Sequence, residues 1–109
     1  MKAVVTFGSL VTFLLISGCA VVRDIHLESV PPGAAVYLVP KIKLERDPEI
    51  LNDEGKLAKY RVPEGNTPVV TRAREKVYIA IFLLDGKLER RELDVLPPPH
   101  NNNAMAVFQ

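Results

Sequence analysis

An all-β fold, either a small antiparallel β-sandwich or a single twisted sheet, is what the 109-residue chain predicts beyond its apolar N-terminus. Three observations carry that expectation. From Ile25 onward the apolar residues come in short runs that alternate with polar ones, the period of a strand with one buried face. Those runs are broken by proline, glycine and asparagine, in "SVPPGAA", "PEGNTP" and "PPPHNNN". The run Val77 to Leu84 is rich in strand formers and is followed at once by Asp85–Gly86, the dipeptide suited to a two-residue type I′ hairpin turn.

The N-terminus obeys a different logic. Lys2 supplies one positive charge, Ala3 to Ile16 is uncharged and largely apolar, and "LLISGCA" follows. The run falls short of the ~20 apolar residues a helix needs to cross a bilayer and reads as a secretory signal peptide, residues 1–18. Its end, Ile16, Ser17, Gly18 and Cys19, resembles a bacterial lipoprotein signal, with an aliphatic residue and two small ones ahead of the cysteine. That resemblance implies cleavage after Gly18 and a covalent lipid on Cys19, whose thiol forms the thioether. Several acyl chains give a stable anchor where one gives only marginal binding. With a single cysteine in the chain, an intrachain disulfide is excluded. The first residue after the anchor is Ala20 rather than aspartate, which points to sorting to the periplasmic face of the outer membrane in a two-membrane envelope.

Cleavage would leave 91 residues, with residues 19–24 as lipidated terminus and tether and residues 25–109 as the folded domain. Loss of Lys2 brings the basic residues from 14 to 13, level with the 13 acidic ones. A neutral chain whose charges are interspersed, as in "DGKLERRELD", lacks the footprint of a nucleic-acid surface.

Along the domain, "DIHLES" places Ile25 and Leu27 on one face and His26 and Glu28 on the other. "PPG" turns the chain, since the prolines fix φ and Gly33 admits positive φ, and "AAVYLV" begins the next strand. Pro40 ends or edges that strand. "KIKLE" is expected to extend briefly, and residues 45–56 to form an exposed inserted loop with one helical turn around Pro48 to Leu51. "KLAKYRV" then restores alternation, with Ala58, Tyr60 and Val62 on one side, and "VVT" follows the "PEGNTP" break as a short strand. In the hairpin, pairing of Leu84 with Lys87 puts Leu88 on the face of Ile79, Ile81 and Leu83, whereas Leu93 and Val95 have the opposite parity. A β-bulge between Glu89 and Glu92 is the expected remedy. "PPPHNNN" reads as a stiff, then polar connector, and "AMAVF" as a final edge strand.

The residues Ser29, Pro31, Gly33, Ala34, Val36 and Tyr37, followed by Gly65, Thr67 and Pro68, resemble the PEGA-type surface-domain family. The resemblance implies a small β-sandwich in an envelope protein, with adhesion, scaffolding or carbohydrate association rather than catalysis. The family usually joins these two segments by a short hairpin, where this chain has Pro40 to Glu64.

No catalytic or metal-binding constellation stands out. His26 and His100 belong to no metal-ligand spacing, and Ser29 has no visible triad partners. The expectation is a non-enzymatic module with no cofactor other than the lipid on Cys19. Its partners would be membrane lipid, an envelope protein, and as the alternative a glycan or peptidoglycan. Ordered loops presenting polar groups are the natural contact points, so Asp47, Glu49, Asp53 and Glu54 in the insertion, and Glu64, Asn66 and Thr67 at the "PEGNTP" corner, are the candidate partner-binding residues. Tyr37, Tyr60, Tyr78 and Phe82 are the candidates for an aromatic stacking surface, with core packing as the alternative.

Overall fold

The computed structural model describes residues 21–109, so the expected signal peptide, with Ile16, Ser17 and Gly18, and the expected lipidation site Cys19 lie outside the described residues. Among the described residues six strands form two three-stranded sheets, which is the sandwich rather than the single sheet. Strand β1 is Val22–Val30, three residues longer at its start than expected, and takes in Val22 to Asp24 of the expected tether. It is followed by β2 (Ala35–Pro40), β3 (Val69–Arg74), β4 (Val77–Leu84), β5 (Lys87–Asp94) and β6 (Asn103–Val107). One sheet has the order β3-β1-β6, the other β2-β4-β5.

The inner faces pack as alternation dictates. Ile25 and Leu27 of β1 and Ala106 of β6 meet Val36, Ala80, Phe82 and Leu93 of the opposite sheet in one buried cluster. The hairpin forms in the expected register, Leu84 opposite Lys87, with positive φ at Asp85 (51°) and Gly86 (77°) as a type I′ turn requires.

Two differences have one cause. The register of β4 with β5 runs unbroken from Leu84↔Lys87 to Val77↔Asp94, so there is no bulge between Glu89 and Glu92. The insertion, for its part, is mostly exposed over 45–56 and has its helical turn at Pro48–Asn52 as expected, but it is docked on the sheet rather than free of it. "KIKLE" does not extend: Lys41–Arg46 is helix α1, Pro48–Asn52 a 3-10 turn and Glu54–Ala58 helix α2. Leu44, Ile50 and Leu57, one from each piece, are buried with Val39, Ile79 and Ile81 in a second cluster on the outside of the β2-β4-β5 sheet. Strand β4 is therefore covered on both faces, which is why its sequence is a continuous apolar run and not an alternating one. Leu88, on the outer face but beyond the cap, is 40% exposed, and needs no bulge to bring it inside.

The expected "KLAKYRV" strand shrinks to one bridge, Tyr37↔Arg61, flanked by hydrogen bonds from Leu38 N to Tyr60 O and from Val62 N to Val36 O, each 2.9 Å. Ala58 is exposed on α2, and Tyr60 and Val62 enter different clusters. The short segment still shields the edge of β2.

All pairings are antiparallel except β1 with β6. The connector explains that exception. Strand β5 finishes beside the start of β4, at the end of the sandwich where β1 begins, and Val95 to Asn102 cross that end to the other sheet. Having crossed, β6 can only run the way β1 runs. Asn102 fixes the crossing: its side-chain oxygen accepts from Leu96 N and its amide donates to Leu96 O, both at 3.0 Å, so a buried side chain stands in for a neighbouring strand.

Candidate functional site

The two motif segments that bracket the insertion meet at one corner. Thr67 N donates to Ala34 O and Gly33 N to Thr67 O, both at 2.9 Å, which brings "PPGA" beside "GNTP". The Thr67 hydroxyl accepts from Ala34 N at 2.9 Å and from Gly33 N at 3.1 Å. With both acceptor positions filled, its proton is left to point at Ser29 Oγ, 2.5 Å away, and Ser29 in turn donates to Pro31 O at 2.8 Å. Gly33 lies at φ 104°, where a side chain would be strained. Serine, glycine and threonine in this pattern are thus accounted for by a closed hydrogen-bond chain, with Ser29 and Thr67 both buried. Thr67 presents nothing to a partner.

The other candidate residues are distributed differently from expectation. Asp53 caps α2, accepting from Gly55 N at 2.9 Å and Lys56 N at 3.2 Å. Asp47 pairs with Lys56 Nζ at 3.0 Å and holds that ammonium above its ordinary range, first through the hydrogen bond and then through charge. Glu64 accepts from Thr71 Oγ1 at 2.6 Å and Asn66 Oδ1 from Arg61 at 2.5 Å, while the Arg61 guanidinium lies 5.7 Å from the centre of the Tyr37 ring. These residues hold the insertion and the corner in place. Glu49 and Glu54 remain as exposed carboxylates.

The aromatics do not gather into one surface. Tyr78 and Phe82 face the sandwich core, and Tyr37 and Tyr60 pack on the opposite side of the same sheet under the insertion. Tyr78 donates to Arg74 O at 3.2 Å, and burial pushes its phenol above the ordinary range. Among the described residues no group of three or more His, Asp or Glu is placed to hold a metal ion.

The asymmetry between the two sheets went unread in the sequence. One outer face is roofed by the insertion. The other, on β3-β1-β6, is bare, and Val30 (51% exposed), Met105 (47%) and Val107 (45%) lie together on it, because Val30 pairs with Val107 and Glu28 with Met105. Alternation alone assigns those three residues to an outer face, but the parallel pairing that makes them neighbours has no local signal. Carbonyls of β6 and of the residues after it are partly occupied: Arg91 Nε donates to Met105 O at 3.1 Å and Lys87 Nζ to Gln109 O.

Compared with family models, with curated proteins and with solved structures, the chain matches none.

Proposed function

We propose that this protein is a bacterial envelope lipoprotein, anchored through a lipid on Cys19, that works without catalysis as a protein-interaction or scaffolding module. The anchorage rests on the Ile16-Ser17-Gly18-Cys19 pattern. The observation that carries the interaction reading is the bare β3-β1-β6 face with its Val30, Met105 and Val107 patch, beside a second sheet whose equivalent face the chain covers itself. A contiguous apolar patch fits a protein partner, whereas a glycan site would call for a shared surface of aromatics, and these are divided between the core and the underside of the insertion.

Only Ala20 and Val21 separate Cys19 from β1, so the Val22 end is held at the bilayer, and Val30 stands about 26 Å further along the strand at ~3.3 Å per residue. The apolar patch points away from the lipid surface. In a two-membrane envelope the periplasmic face of the outer membrane is the address that Ala20 supports.

The test is photocrosslinking in intact envelopes, with a crosslinking residue at Met105 and, separately, at Glu49, Glu54 or Asn66. Reproducible capture of one envelope protein at Met105 supports this reading. Selective capture of glycan would replace it with the carbohydrate alternative, and capture only from the insertion would move the contact to Glu49 and Glu54.

A further inference from the structure

Both histidines of the chain, at opposite ends of the sequence, come to one place. Where the connector passes over the start of β1, an open cavity of about 430 Å³ is lined by His26, His100, Arg72, Asn101, Asn103 and Asp24, among others. The topology makes it. Arg72 sits opposite Asp24 and Asn103 opposite His26, so β3 and β6 flank β1, and the turn His100 N→Pro97 O (3.2 Å) brings the His100 segment across the gap.

The lining is rich in hydrogen-bond donors. Two arginines, two histidines and three asparagines line it with one carboxylate, Asp24. Arg23 is committed to Glu75 and the Asn102 amide to Leu96, which leaves Arg72, the imidazoles and the Asn101 and Asn103 amides. The contact of Arg72 with Asp24 is long (3.4 Å) and open to water, with both side chains about two-thirds exposed or more. A pair so exposed contributes little and exchanges readily for a better acceptor. There is no aromatic platform for a sugar ring in the lining and no set of three ligands for a cation among the described residues. Planar guanidinium and amide donors fit the oxygens of a phosphate group.

Position supplies the source. The cavity includes Val22, and Val22 is three residues from Cys19, a reach of at most about 11 Å fully extended. We propose that this cavity is a phospholipid headgroup site: the phosphodiester of a membrane lipid seats between Arg72, the two histidines and the Asn101 and Asn103 amides, and orients the sandwich on the bilayer. The proposal rests on the lipid anchor at Cys19, which sets the headgroup's effective concentration at the cavity mouth.

Because the chain has only two histidines, their reactivity reads the site directly. The full-length acylated protein is reconstituted into vesicles of phosphatidylglycerol and, in parallel, of digalactosyldiacylglycerol, which has no phosphate. Diethylpyrocarbonate modification of His26 and His100 is then measured by mass spectrometry. The expected result is about fivefold slower modification of both in the phospholipid, a protection that the Arg72→Gln and Asn101→Ala variants each abolish. Both residues are exposed, and the same spectra verify the acyl mass. Equal protection in the two lipids would reduce the effect to simple contact with a bilayer and overturn the proposal, as would no protection in either. If millimolar inorganic phosphate protects equally in galactolipid vesicles, the site takes free phosphate and the headgroup assignment falls. An unacylated chain would sink the anchor and this proposal together, whereas an acylated chain with no lipid-dependent protection sinks the cavity assignment alone.

Discussion

Replacing Thr67 by valine keeps the shape of a buried side chain while removing the hydroxyl that ties the two motif segments together. The structure specifies what is lost. Gly33 N retains the Thr67 carbonyl, and Ser29 retains Pro31 O, so neither is orphaned. Ala34 N is different, since the Thr67 hydroxyl is its acceptor and Ala34 is fully buried. A buried N–H left unpaired costs about 1–3 kcal/mol, and loss of the Thr67–Ser29 bond adds about 1, for a total of about 2–4 kcal/mol. Native stability scales as roughly 0.05–0.15 kcal/mol per residue, so this is a large share of what a domain of this size holds. Urea denaturation of the purified protein, followed by circular dichroism, checks it. With a slope near 1 kcal/mol per molar for so small a domain, Thr67→Val lowers the midpoint by about 2 M or more. Thr67→Ser keeps the hydroxyl and costs about 1 kcal/mol for the methyl group. If the valine variant unfolds within about 0.5 kcal/mol of the native protein, or if serine is as damaging as valine, the hydrogen-bond chain is not what closes the corner.

Other perturbations give equally definite outcomes. Gly86→Val forces a β-branched residue to φ 77° in open space, so it costs about 1–2 kcal/mol in backbone strain alone, while Gly86→Asn is nearly silent; thermal melts of the two variants separate strain from packing. Leu57→Ala removes a buried contact between the insertion and the outer face of β4, lowering stability by about 2–4 kcal/mol and increasing binding of an apolar dye at Ile79 and Ile81. Tyr78 and Lys56 both hold their protons more tightly in the folded chain, so their contribution is intact below their ordinary values of 10.0 and 10.5 and is lost as pH rises through the folded ones. The urea midpoint therefore falls above about pH 10, and Tyr78→Phe weakens that alkaline dependence; an unchanged slope in the variant counts against the tyrosine. Cys19→Ala leaves the chain unprocessed or released from the membrane fraction, with no acyl mass by intact-mass analysis; an unmodified Cys19 in mature, freely soluble protein refutes the anchor.

What the sequence determined by itself is local in origin. Alternation in "DIHLES" set the inner face of β1, Asp85–Gly86 set the hairpin and its register, and the spaced prolines and glycines marked where strands end. Each is a property of a few neighbouring residues, and the pleat and the turn enforce it without help. The tertiary structure decided everything that depends on which face meets which. The helical turn at Pro48–Asn52 falls where the sequence placed one, but helix α1 arises where "KIKLER" can bury Leu44, and the turn docks by Ile50, against Ile79 and Ile81, a gain that no feature of those residues announces. That same docking turned an apparent parity fault in β5 into a regular strand with an exposed Leu88. Asp53, Asn66 and Thr67 read as polar loop residues open to a partner, and became a helix cap, a ligand of Arg61 and a buried link in a hydrogen-bond chain. His26 and His100, 74 positions apart, share a cavity, and Val30 and Val107 share a surface, only because β6 runs parallel to β1. Pairing of that kind is set by the direction in which a connector crosses the end of a sandwich, and no short stretch of sequence encodes it.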